Sequence, residues 1–143
     1  MSAVSSNQTP DLAWLLKGLS QEVPGIRGSV LLSSDGLVKA THGLDRDSSE
    51  YLAALASGFF SMARSASAKF DGGNEVRQVV TELKSSRLFV SWAGYNSVIA
   101  VLAGADADAA VVGLEMARLI KAVRPFLDTA IRPPVTGSGD RIR

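Results

Sequence analysis

Cysteine is absent from the 143 residues, and histidine occurs once, at His42. Without thiols there is no disulfide, no cysteine-ligated zinc and no thiol nucleophile, and a lone imidazole cannot build a two-histidine metal site. A serine triad would have to use His42, yet no G-x-S-x-G elbow occurs, and the serines fall in turns or along one helix face. Charge of one sign is equally scarce: 15 basic residues against 14 acidic ones leave a net +1, too weak a field to favour nucleic acid or a membrane surface. No apolar run approaches the ~20 residues that a membrane helix needs, and the opening MSAVSSNQTP lacks the basic-then-apolar pattern of a secretory signal. The expectation is a cytoplasmic chain that enters no membrane, takes no metal or cofactor, and is not an enzyme, with His42 a structural residue.

Two further motifs fail on inspection. FDGGNE, 70–75, is glycine-rich, but no lysine and no helix follow it, so it reads as the end of a helix and a turn rather than a phosphate-binding loop. Asp106 and Asp108 in GADADAA lack the alternating ligands and terminal glutamate of a calcium loop, and capping a helix is the role expected of them.

What is present is a regular order of elements filling one domain. Residues 1–8 and the tail RPPVTGSGDRIR, 132–143, are polar or rich in Pro, Gly and Ser and are read as flexible; the folded domain spans 9–131. Thr9-Pro10-Asp11 starts a helix whose Leu12, Leu15, Leu16 and Leu19 form one buried stripe, ending near Pro24-Gly25. GSVLLSSDGLVKATHG then predicts a hairpin of two strands turning at Asp35-Gly36 through a two-residue loop. Asp47 and Glu50 have capping-box spacing, opening a helix of ~22 residues to about Phe70 whose buried side is expected to be Leu52, Leu55, Ala56, Phe59, Met62, Ala63 and Ala66. Three strands follow, Glu75–Lys84, Arg87–Ala93 and Ser97–Ala103, joined by Ser85-Ser86 and Gly94-Tyr95-Asn96 as an antiparallel meander. From Ala107 a third helix places Val112, Met116, Leu119, Ile120, Val123 and Leu127 on one side, with Pro125 expected to kink or interrupt it.

The runs SVLL and SVIAVLA are continuously apolar, as central strands are, whereas LVKATH and EVRQVVTELK mix in charges. The predicted fold is therefore α+β, in the order α-β-β-α-β-β-β-α. Its single antiparallel-dominated sheet has five strands in the order 2-1-5-4-3, with the second helix on one face and the first and third on the other. That leaves the third strand at an edge, where its amides need a partner. Opposite the expected buried side of the second helix lie Ala53, Ala54, Ser57, Gly58, Ser61, Arg64, Ser65 and Ala68, small groups with one charge where a solvated helix would carry several. Small side chains let another helix approach closely.

Edge and helix face explain each other if a two-fold axis perpendicular to the sheet pairs the third strand with its copy and brings the second helices together. Residues opposed on antiparallel strands share a face, so setting Arg77 against Glu82 is impossible, and the axis must pass through a residue, Val79 or Val80. The homodimer interface is thus expected to hold Arg77, Gln78, Val79, Val80, Thr81 and Glu82 from the strand and Ala54 and Gly58 from the helix. Ser57, Ser61, Arg64, Ser65 and Ala68 are the candidates for contact with another protein.

VPGIRGSVLLSSDGL, 23–37, followed by the Ala/Gly/Ser-rich second helix, the meander and VGLEMARLIKAV, resembles the Roadblock family of the dynein light chain seven type over about residues 11–131. The resemblance implies a profilin-like fold and dimers joined through the third strand into one continuous sheet. In bacteria it implies regulation of a small Ras-like GTPase, sometimes as a GTPase-activating protein presenting the second-helix face of the dimer, and in actinobacterial members a sensor kinase-like protein as a further partner. An alternative is a small-ligand sensor of the profilin or PAS kind, which would need polar groups among core positions, and the central strands show few.

Overall fold

The structure is a computed structural model describing residues 12–131; the helix-start signal Thr9-Pro10-Asp11 and the terminal segments 1–8 and 132–143 lie outside the described residues. The elements are α1 (Leu12–Glu22), β1 (Ile26–Ser33), β2 (Val38–His42), α2 (Arg46–Phe70), β3 (Val79–Glu82), β4 (Ser86–Gly94), β5 (Ser97–Gly104) and α3 (Ala109–Ile131). The five strands form one sheet in the order β2-β1-β5-β4-β3, every neighbour antiparallel, as the apolar runs predicted.

Strand alternation divides the core in two. Leu31, Phe89, Ile99 and Val101 point to one face, where Leu16 and Leu19 of α1 and Val112, Met116, Leu119, Val123 and Leu127 of α3 cover them. Val30, Leu32, Val90, Val98 and Ala100 point to the other, under α2. Because β1, β4 and β5 are buried on both faces, their sequences carry little polar alternation.

Five local expectations need correction. Asp45, not Asp47, caps α2: its backbone is extended (φ −72, ψ 175) and its Oδ1 accepts from the Ser48 amide at 2.8 Å, while Glu50 pairs with Arg46 instead of reaching back. The β1–β2 loop has four residues, Ser34 to Leu37, and only Gly36 takes a positive φ (+94) there; Asp35 accepts from the Ser33 hydroxyl. The two-residue hairpin lies instead between β4 and β5, where Tyr95 (φ 51) and Asn96 (φ 60) both adopt the left-handed conformation such a turn demands. Helix α3 begins at Ala109, with Asp108 Oδ1 accepting from the Ala110 amide at 2.9 Å, and it runs through Pro125 without interruption.

The fifth correction concerns β3, which is four residues long rather than ten. Its ladder to β4 starts at Val79 opposite Val90 and ends at Glu82 opposite Arg87. Upstream, Ser67 Oγ donates to the Glu75 carbonyl at 2.9 Å and holds that residue to the end of α2, while Gln78 reaches β4 through its side chain, Nε2 donating to Ser91 Oγ at 3.3 Å. Downstream, the Leu83 amide donates to the Ser86 carbonyl at 2.8 Å and closes the turn into β4.

Candidate functional site

Helix α2 carries the site. The residues it buries are Ser49, Leu52, Ala53, Ala56, Phe60 and Ser67, so its buried side is rotated from the one expected: Met62 is 64% exposed, Ala66 is exposed, and Leu55 and Phe59 are only half-buried. Small residues won this face because the helix sits close to the sheet and to the β1–β2 loop. Ser57 Oγ donates to the Ser34 carbonyl at 2.7 Å, Ser49 and Thr41 hydroxyls meet at 2.6 Å, and Phe60 stacks on Trp92 with ring centres 5.5 Å apart and planes 11° off parallel. Ala53, read from sequence as part of the contact face, is wholly buried.

The five residues expected to meet a partner come together. Ser57, Ser61, Arg64, Ser65 and Ala68 line one depression of ≈ 380 Å³, completed by Ser34, Phe60 and Asn74. It adjoins a cleft of ≈ 420 Å³ that shares Phe60, Arg64 and Asn74 and adds Glu75, Val76, Arg77 and Trp92. Arg64 stands between the two, half-buried. Neither Arg64 nor Arg77 has an ion-pair partner among the described residues, which leaves two guanidinium groups beside an aromatic stack and open to acceptors from outside. No three of His, Cys, Asp and Glu gather as a metal site requires among the described residues, and His42 ends β2 opposite Ser29.

The residues expected at a self-contact are split over two elements. Val79, Val80, Thr81 and Glu82 form β3, whose outer edge has no strand beside it among the described residues; Val80 is 48% exposed on the face away from α2, and Glu82 pairs with Arg87 at 3.3 Å. Arg77 and Gln78 precede the strand. Ala54 and Gly58 are exposed on α2, and a side chain added at Gly58 would meet open space. What the sequence reading missed is an apolar stripe along α2, half-buried at Leu55 and Phe59 and exposed at Met62, Ala66 and Phe70, whose Leu55 lines a groove with Leu83 just past β3. The i, i+4, i+7, i+11 spacing was visible, but it was assigned to the core.

The Roadblock/LC7 domain pattern matches residues 12–103. The chain belongs to the Roadblock/LC7 family. A Roadblock/LC7 domain from Streptomyces avermitilis is 59% identical, with a TM-score of 0.80 over 82% of this chain and 98% of that one. MglB of Myxococcus xanthus superposes with a TM-score of 0.74 at 16% identity, over 84% of this chain and 97% of its own. Profilin IB of Acanthamoeba castellanii shares the architecture at 12% identity and a TM-score of 0.57, over 80% and 97%. The last two likenesses show the fold alone, and that fold is the profilin-like one expected. No curated protein matches the chain. Within the Roadblock/LC7 fold, the candidate site therefore lies on the single helix covering one face of the sheet.

Proposed function

We infer that this Roadblock/LC7 protein is a homodimeric regulatory module for a small Ras-like GTPase, in a bacterial signalling system that includes a sensor kinase-like protein. Two copies join through β3, with Val79 or Val80 at the two-fold, and the α2 surface around Arg64 receives the GTPase. One observation carries the second half: five residues expected at a partner contact line one depression around a half-buried arginine with no ion-pair partner among the described residues. Small groups around an arginine suit a protein contact, since a guanidinium spreads over several acceptors while alanine and serine let backbone come near. A ligand sensor would need polar groups aimed into an interior cavity. Among the described residues Ser29 Oγ is the one buried side-chain polar atom without a partner, which does not favour that alternative.

Arg64 sits in the middle of a helix rather than on a reaching loop, so it acts as a contact and not as an arginine finger in trans. The test uses the cognate small Ras-like GTPase, loaded with GTP or GDP. Arg64→Ala should weaken binding of the GTP state, with hydrolysis restored when the variant is in excess; loss of a finger would instead cost about 10³-fold at saturation. Ser61→Glu should abolish binding by forcing charge and bulk into a small-residue contact. Both variants should still dimerise. Parental binding by both would move the contact off this face of α2.

A further inference from the structure

The cleft of ≈ 420 Å³ beside α2 is walled by three parts of the chain: Arg64 and Phe60 come from α2, Asn74, Glu75 and Arg77 from the segment leading into β3, and Trp92 from β4. Its polar side chains are idle. Among the described residues those of Arg64, Asn74 and Arg77 have no hydrogen-bond or ion-pair partner, and Glu75 pairs with neither arginine. The walls are tied together, since the Glu75 carbonyl accepts from Ser67 Oγ of α2 at 2.9 Å.

We propose that this cleft binds a mononucleotide, with the phosphate on Arg64 and Arg77 and the base against Trp92. Two guanidinium groups in one cleft call for an anion between them, and a phosphomonoester carries about −1.5 to −2 charge at neutral pH and offers each arginine paired acceptor oxygens. Phe60 is buried and covers one face of the Trp92 indole, their planes 11° off parallel, so the half-buried indole is what the cleft sees of the stack. Any base has a flat face to lay on it. Asn74 both donates and accepts, as a base edge does, and the Glu75 carboxylate accepts from sugar hydroxyls. The volume lies at the small end of ligand clefts, roughly 300–1,000 Å³, which suits one nucleotide. A net charge of +1 speaks against a polynucleotide, whereas two local arginines suffice for one phosphate.

Trp92 reports on its own cleft. Trp14, the other of the two tryptophans, lies on α1 across the sheet and is 68% exposed, so Trp14→Phe leaves a single indole at the site. In that background AMP or GMP should quench the fluorescence saturably at millimolar concentration or below, and titration calorimetry on the parent should give the same affinity. Arg64→Ala and Arg77→Ala should each weaken AMP binding by about 10-fold or more, with Arg77→Lys in between because it keeps the charge without the two-pronged geometry. Adenosine, which lacks the phosphate, and ribose 5-phosphate, which lacks the base, should each bind about 10-fold or more weakly than AMP. Absence of saturable binding by AMP, GMP, CMP and UMP overturns the proposal, as does ribose 5-phosphate binding as tightly as AMP, which would leave the cleft a site for an adventitious ion only. Light scattering accompanies each variant: an affinity unchanged in Arg64→Ala and lost in Arg77→Ala only together with the dimer places the nucleotide elsewhere. No GTPase enters these measurements, so their failure leaves the partner reading of Arg64 standing.

Discussion

A single carboxylate sets where α2 begins. Asp45 Oδ1 takes the Ser48 amide, one of the donors that a helix start leaves unsatisfied, and that hydrogen bond holds the Asp45 carboxyl below its ordinary range. A folded-state pKa lower than the unfolded one gives stability that is present above the unfolded value and lost as pH falls through the folded value. Below about pH 4 the parent should therefore lose stability in a way that Asp45→Asn does not share, because an asparagine oxygen caps without titrating. Urea melts at pH 3 and pH 7 would show the difference; equal acid losses in the two proteins would dismiss the cap as its source. A second residue-level constraint sits just upstream at Gly43, whose φ is +88 and whose missing Cβ would stand 2.7 Å from the Arg27 carbonyl oxygen. Gly43→Ala should cost more than about 1 kcal/mol, since neither the backbone angle nor that rigid carbonyl can yield. His42→Ala, one position earlier, should leave GTPase binding and turnover unchanged, because no proton transfer is assigned to it.

Among the elements, α1, α3 and the inner strands were legible, and α2 and β3 were not fully so. The leucines of α1 and the Val112–Leu127 stripe of α3 stand out because the remaining sides of those helices are polar enough to fix the phase. Helix α2 has small or apolar residues on three sides, so periodicity admits more than one buried face, and the bulkier stripe looked like the core. The sheet chose Ala53 and Ala56 because hydrogen bonds from Ser49, Ser57 and Ser67 draw the helix close. Ser57, Ser61, Arg64, Ser65 and Ala68 still share one depression, since their spacing places them together whichever face is buried. Strand β3 was overread for a related reason: EVRQ has strand composition, but Ser67 of α2 takes the Glu75 carbonyl, and Gln78 meets β4 by a side-chain bond to Ser91 before the backbone ladder begins. With only four paired residues, β3 tolerates little damage at the edge. Val80→Pro removes an amide and fixes φ at the proposed two-fold, and should dissociate the dimer while circular dichroism keeps its helical signal. A variant that remains dimeric by light scattering would place the self-contact elsewhere.

For the whole molecule, net charge and shape act on association in different ways. A net charge of +1 would give two copies almost no mutual repulsion and no steering field, so the proposed self-contact would rest on backbone pairing and apolar area. The apolar groove beside α2 lies next to the edge of β3, where the proposed two-fold would run, while the depression around Arg64 lies on the other side of the helix. On the proposed reading, self-association and partner binding would use separate surfaces of α2 and would not compete. Folding and dimerisation should in turn be linked, because a native dimer unfolding to two chains is stabilised by mass action. Raising the protein from 1 to 100 µM, within the range where the dimer persists, adds about 1.4 kcal/mol per chain. For a domain of this size that corresponds to a rise of about 5 °C in Tm. Val80→Pro should have a Tm that is lower and nearly flat with concentration at the dilute end, and the parent's rise should persist in 0.5 M salt if its contact is backbone pairing and apolar area. A parent Tm that does not move with concentration, or one whose rise vanishes on adding salt, would show that this surface does not hold two copies together.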